Sequence, residues 1–82
     1  MKAARVIAEY ENGRRDFRGE SLRGRNFGRL TKKGGKGEWQ GVDLSGADFS
    51  GCDIRGTNFS YANLTDAKLQ QANAGLKQGL RI

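Results

Sequence analysis

The side chains most able to do chemistry here are cationic and lie in the first half of the chain. Arg14, Arg15, Arg18, Arg23, Arg25 and Arg29 are followed by Lys32, Lys33 and Lys36. A guanidinium is a planar fork that meets carboxylates and phosphates two bonds at a time, so such a cluster predicts an anionic partner. Residues 1–37 carry eleven Lys or Arg against four acids, or +7; residues 38–82 carry four against five, or −1, which together give the net +6. The basic excess therefore belongs to one end of the chain.

Other reactive types are sparse. There is no His, which removes the usual general base and the commonest metal ligand. The row Asp43, Asp48, Asp53 continues as Asn58, Asn63, Lys68 and Asn73, so the position accepts a neutral amide or a cation. Short polar side chains that cap turns explain this row better than cation ligation, and no metal or cofactor is expected. Cys52, the single cysteine, shares its place with Ala and Thr and reads as a buried structural thiol. KKGGKGE has the glycines of a phosphate loop but lacks GxxxxGK followed by Ser or Thr between a strand and a helix. No Ser or Cys stands beside a base, so no catalytic residues are assigned and the chain is not expected to be an enzyme. A narrow packed column is also expected to leave no pocket of small-molecule size.

What must position these side chains is a period of five. From Gly37 the chain reads GEWQG, VDLSG, ADFSG, CDIRG, TNFSY, ANLTD, AKLQQ, ANAGL. The third place holds Trp39, Leu44, Phe49, Ile54, Phe59, Leu64, Leu69 and Ala74; the first, from Val42 on, is small or β-branched. Five fits neither a helix at 3.6 nor a flat strand at 2. It fits a solenoid whose walls are one unit long, with the large residue pointing inward. Proline is absent, which suits a ladder that uses every backbone N–H.

These units resemble the A-(D/N)-L-x-x motif of the pentapeptide-repeat family, over residues 15–76. The resemblance implies an all-β solenoid: a right-handed quadrilateral β-helix with four units per turn, here of about 2.5–3 coils. It implies no particular activity. The family is especially abundant in cyanobacteria, and the chain looks like a short member of that kind. Some members resemble duplex DNA and occupy the DNA-binding saddle of type II topoisomerases. That mimicry needs a long acidic rod, and the basic half of this chain disfavours it. Ala74-Gly75-Leu76-Lys77 looks like the junction through which such repeats lead into other segments of a larger protein.

One domain, 1–82, is expected. Residues 2–11 form a short capping α-helix with Ala3, Val6, Ile7 and Tyr10 on one face, stopped at Asn12-Gly13. Residues 15–29 are first repeats around Phe17, Leu22 and Phe27; 30–36 are an irregular basic bulge; 37–76 are regular; 77–82 are a tail or cap. Phe17 to Trp39 spans 39 − 17 = 22 residues, two more than four units, which predicts a two-residue bulge. On that register Phe17 lies under Trp39 and Phe59, Leu22 under Leu44 and Leu64, and Phe27 under Phe49 and Leu69. Leu30 would lie beneath Ile54 and Ala74.

The chain has no apolar run able to span a membrane, no secretory signal is expected, and its lone cysteine suits a reducing interior, so the cytoplasm is the expected compartment. The expected function is non-enzymatic protein–protein interaction: a rigid β-helix whose basic N-terminal end docks on an acidic protein. The alternative is nucleic-acid binding through the same cations, weakened by the loss of aromatics to the interior, which leaves Tyr61 outside. Leu76, Leu80 and Ile82 either fold over the C-terminal face or leave it to a partner, including a second copy in a homodimer.

Overall fold

Five residues suffice for one short wall and one corner. In the computed structural model, residues 1–33 and 38–75 are described, with backbone only at 31–33, 38 and 39. Each Asp or Asn of the repeat accepts, through Oδ1, the backbone N–H two residues on: Ser45 from Asp43 (3.0 Å), Ser50 from Asp48 (3.0 Å), Arg55 from Asp53 (3.2 Å), Ser60 from Asn58 (2.9 Å). The turn is then closed by a backbone bond from the next unit, as from Ala47 N–H to the Leu44 carbonyl (3.2 Å). Its third residue lies in the left-handed region, with φ of 73° at Gly46. That is the geometry of a type II turn, and it explains the glycine in the fifth place.

Coils stack by isolated parallel bridges. Asp43 pairs with Asn63, Asp48 with Lys68 and Asp53 with Asn73, so 20 residues (63 − 43), or four units, return the chain to the same side. The first and second coils are joined by Asp16–Asp48, Ser21–Asp53 and Asn26–Asn58, an offset of 32 (48 − 16). The excess over one turn is thus twelve residues, where the sequence arithmetic predicts two. It is taken up by an antiparallel pair, β1 (Leu30–Lys33) against β2 (Glu38–Gly41). The segment pairs with itself and leaves the stack, so it lengthens the chain without filling a wall.

This hairpin overturns the predicted columns below the second coil, while Leu44 under Leu64, Phe49 under Leu69 and Ile54 under Ala74 stand as read. Phe17 lies against Phe49, with ring centroids 5.5 Å apart, and Phe27 against Phe59 at 5.2 Å. Leu22 is in register with Ile54, and Leu44 with Leu64. Trp39 stands opposite Lys32 in the hairpin, and the place beneath Phe59 that the sequence reading gave to Trp39 is held by Phe27. Leu30 is 40% exposed at the hairpin base, and Leu22 holds the place beneath Ile54. Phe17, Leu22, Phe27, Leu44, Phe49, Ile54 and Phe59 are buried; Leu64, Leu69 and Ala74 are half-buried.

The small first-place side chains tie the coils as well as fill corners. The Cys52 thiol donates to the Phe17 carbonyl (2.9 Å) and the Thr57 hydroxyl to the Leu22 carbonyl (2.6 Å), both fully buried. Burial raises the pKa of Cys52 and keeps it a thiol.

Among the described residues the extended elements are β1 and β2; elsewhere the walls meet at single bridged residues, because each turns a corner after one pairing. The helix expected over 2–11 is present. α1 (Ala3–Glu11) packs Val6 and Tyr10 into the core, with Met1, Ala3 and Ile7 against it. Its end is a Schellman motif: Arg14 N–H donates to the Glu9 carbonyl and Gly13 N–H to the Tyr10 carbonyl, both at 2.9 Å. The Tyr10 hydroxyl donates to the Ser45 carbonyl (2.6 Å), so α1 takes the side below Leu44 where the first coil has no repeat. No helix among the described residues is long and apolar enough to cross a membrane.

Candidate functional site

The predicted cations do not form one patch, because the fold partners them differently. Arg14 Nη1 donates to Glu9 (2.7 Å) and Nη2 to Glu20 (3.4 Å), while its guanidinium lies 4.6 Å from the Phe17 ring centre. The bond from Arg14, with a second from Arg5, lowers the pKa of Glu9. Arg18 grips Asp16 with both fork arms (3.0 and 2.9 Å) and holds that carboxyl down at about 2. Arg55 does the same to Asp53 (2.9 and 2.7 Å), again to about 2. These cations neutralise the protein's own acids.

Others are tied to backbone or left open. Arg25 Nε donates to the Met1 carbonyl (3.1 Å), and the Met1 ammonium to the Ser21 carbonyl (2.8 Å), which fastens the N-terminus across the first coil. Arg23 is exposed and has no direct partner among the described residues. Lys33 and Lys32 stand opposite Glu38 and Trp39 in the hairpin, and Lys36 lies outside the described residues, as do Leu76, Leu80 and Ile82.

Arg15 and Arg29 are brought together. They line a cleft of about 440 Å³ with Ile7, Tyr10, Glu11, Gly41, Val42 and Asp43. A pocket of this size counters the expectation of none. It lies outside the packed column, in the angle where α1, the hairpin base and the second coil meet. Arg15 sits 3.7 Å above the Tyr10 ring, and its Nη1 donates to the carbonyls of Tyr10 (2.9 Å) and Arg14 (3.0 Å). Aromatic stacking plus two anchoring bonds fixes one edge of the fork and leaves Nε and Nη2 without a bond among the described residues. Arg29 is exposed, without a partner among the described residues.

The anions of the cleft are less available. Asp43 accepts the Ser45 N–H (3.0 Å), and its pKa is lowered first by that bond, with a contribution from Arg15. Glu11 stands exposed on the last turn of α1. Sequence reasoning missed Tyr10, Ile7, Val42 and Asp43 as site residues because it assigned each to a separate structural task. The amphipathic helix was a legible signal, but the hairpin that builds the opposite wall was not.

Neither a curated protein nor a solved structure gives a significant match to the chain. The profile described as pentapeptide repeats matches residues 40–73, in 8 copies, which supports the family read from the five-residue period.

Proposed function

We propose that the chain is a non-enzymatic interaction module, a right-handed coil stack whose N-terminal end docks on an acidic partner protein. Proteins built of pentapeptide repeats are generally interaction modules without enzymatic activity, and the repeats imply a β-helix solenoid. The observation that carries the reading is the charge asymmetry, +7 before residue 38 and −1 after it. Internal pairing of Arg14 and Arg18 narrows the docking surface among the described side chains to Arg23 and Arg29. Arg23 and Arg29 make no hydrogen bond or ion pair among the described residues, and Arg23 reaches Asp53 through its charge alone, so their reversal acts on binding more than on folding.

The test is a double Arg23→Glu/Arg29→Glu variant, offered polyglutamate and duplex DNA across a salt series. Retention on polyglutamate near physiological salt, lost in the variant while its melting curve is unchanged, is the expected result. Equal retention of the variant would defeat the reading. Stronger, sequence-blind and salt-steep retention on DNA would favour the nucleic-acid alternative, since phosphate contacts release counterions. Against that alternative, Tyr61 is the one exposed large aromatic among the residues whose side chains are described, so base stacking has little platform there.

A further inference from the structure

We infer that the cleft between α1, the hairpin base and the second coil binds a carboxylate whose apolar body is the size of one amino-acid residue. The volume of about 440 Å³ lies in the range of small-ligand sites. Ile7, Val42 and the Tyr10 ring supply apolar surface, and Gly41 adds backbone.

The polar part selects the headgroup. Arg15 is held by the Tyr10 ring and two carbonyls with Nε and Nη2 still open, so two donors are already oriented before any ligand arrives. Arg29 adds a second guanidinium. A carboxylate matches a guanidinium fork with two parallel bonds. The lining carboxylates of Glu11 and Asp43 set the charge limit. They repel a second negative charge, so a monoanion is favoured over a phosphate dianion. Two sources present this chemistry: a free N-acylated apolar amino acid, or the last residue of a polypeptide. The inference shares Arg29 with the proposed docking end, and Arg23, which does not line the cleft, tells the two apart.

The experiment is an amide-resolved NMR titration of the full chain with N-acetyl-leucine, N-acetyl-leucinamide and inorganic phosphate. Saturable shifts at Ile7, Glu11, Arg29 and Val42 with the acid, and about tenfold weaker binding of the amide, are expected from loss of one charge-assisted contact. Arg29→Gln should weaken the acid by about the same factor, and Arg23→Gln should leave it unchanged. Arg15→Lys keeps the charge but loses the fork, and should also weaken binding. Equal binding of the amide, phosphate binding as strong as the acid, or shifts indifferent to Arg29→Gln would each overturn the inference. A pentapeptide ending in leucine, with a free or amidated terminus, distinguishes the sources. If the free form binds more tightly than N-acetyl-leucine, the natural ligand is a chain terminus; if equally, a free acid.

Discussion

The second and third coils follow the same five-residue rule, yet differ in what each gains from it. In the second, residues 42–61, large side chains have neighbours below and above: Phe49 lies on Phe17 and beside Phe59, whose centroid is 5.9 Å away. Its corners at 46, 51 and 56 are glycines with φ near 70°. In the third, residues 62–75, the bridges and Asx bonds recur, as from Thr65 N–H to Asn63 and Gly75 N–H to Asn73. Leu64 and Leu69, however, are only half-buried, and after Tyr61 at the junction (φ 67°) the corners at 66 and 71 place Asp and Gln at φ of 60° and 57°. Identical backbone geometry therefore carries unequal stability: the period sets the path, and neighbours supply the energy.

The largest contrast should appear on truncating the column. Phe49→Ala removes a ring fully buried between two coils and should cost about 3–5 kcal/mol. Leu69→Ala, one coil higher on the same side, should cost on the order of 1–2 kcal/mol, because part of that side chain already meets water. Urea melts of both variants measure the gap. Equal losses would mean that the third coil is as well covered as the second.

A second contrast tests where the hairpin leaves the stack. A Cβ built on Gly41 would overlap the Tyr61 backbone carbonyl. Gly41→Ala must displace either the hairpin base or the start of the third coil, at about 1–3 kcal/mol. Loss of hydrogen-exchange protection should begin at Ala62 and Asn63, whose N–H groups bond to Phe59 and Val42. Protection lost first in the first coil would place the strain elsewhere.

The corners give a smaller, two-sided effect. Gly51 has its nearest non-neighbour atom 3.9 Å from a built Cβ, so Gly51→Ala meets conformational cost rather than collision, about 1–2 kcal/mol. Gln71→Gly should act in the opposite sense by about 0.5 kcal/mol, since relief of the left-handed strain exceeds glycine's added chain entropy. Thermal melts that show both variants destabilised would remove corner strain from the comparison.

Much of this contrast was legible in the residues. The period, the inward Phe and Leu places, the turn-capping row from Asp43 to Asn73 and the Asn12-Gly13 helix stop all rest on local chemistry, which a sequence displays directly. The register between the first and second coils was not local. Twelve extra residues and two extra residues are equally compatible with a break after Arg29, and Thr31 or Gln40 says nothing about the other until the strands pair. The stacked partners of Phe17 and the cleft walls depend on that one closure. The arginines read as a single patch for a different reason: Arg14 with Glu9 and Arg18 with Asp16 are local pairs, made only once the chain turns between them.

Acid offers the smallest and most selective perturbation. The second coil caps its turns with Asp43, Asp48 and Asp53; the third has Asn63, Lys68 and Asn73 at the matching places. The Ser45 N–H lowers the pKa of Asp43, the Ser50 hydroxyl that of Asp48, and Arg55 holds Asp53 at about 2 against an ordinary 3.8. A carboxyl depressed in the folded state contributes stability above its unfolded pKa and loses it as pH falls through the folded value. The second coil should therefore weaken between about pH 4 and pH 2, while the amides of Asn63 and Asn73 do not titrate. Hydrogen exchange in that window should show the protection of Arg55 N–H falling toward that of Thr65 N–H, and Asp53→Asn should flatten the fall at Arg55. A protection difference constant from pH 5 to pH 2 would show that the carboxylates act in these turns only as neutral acceptors.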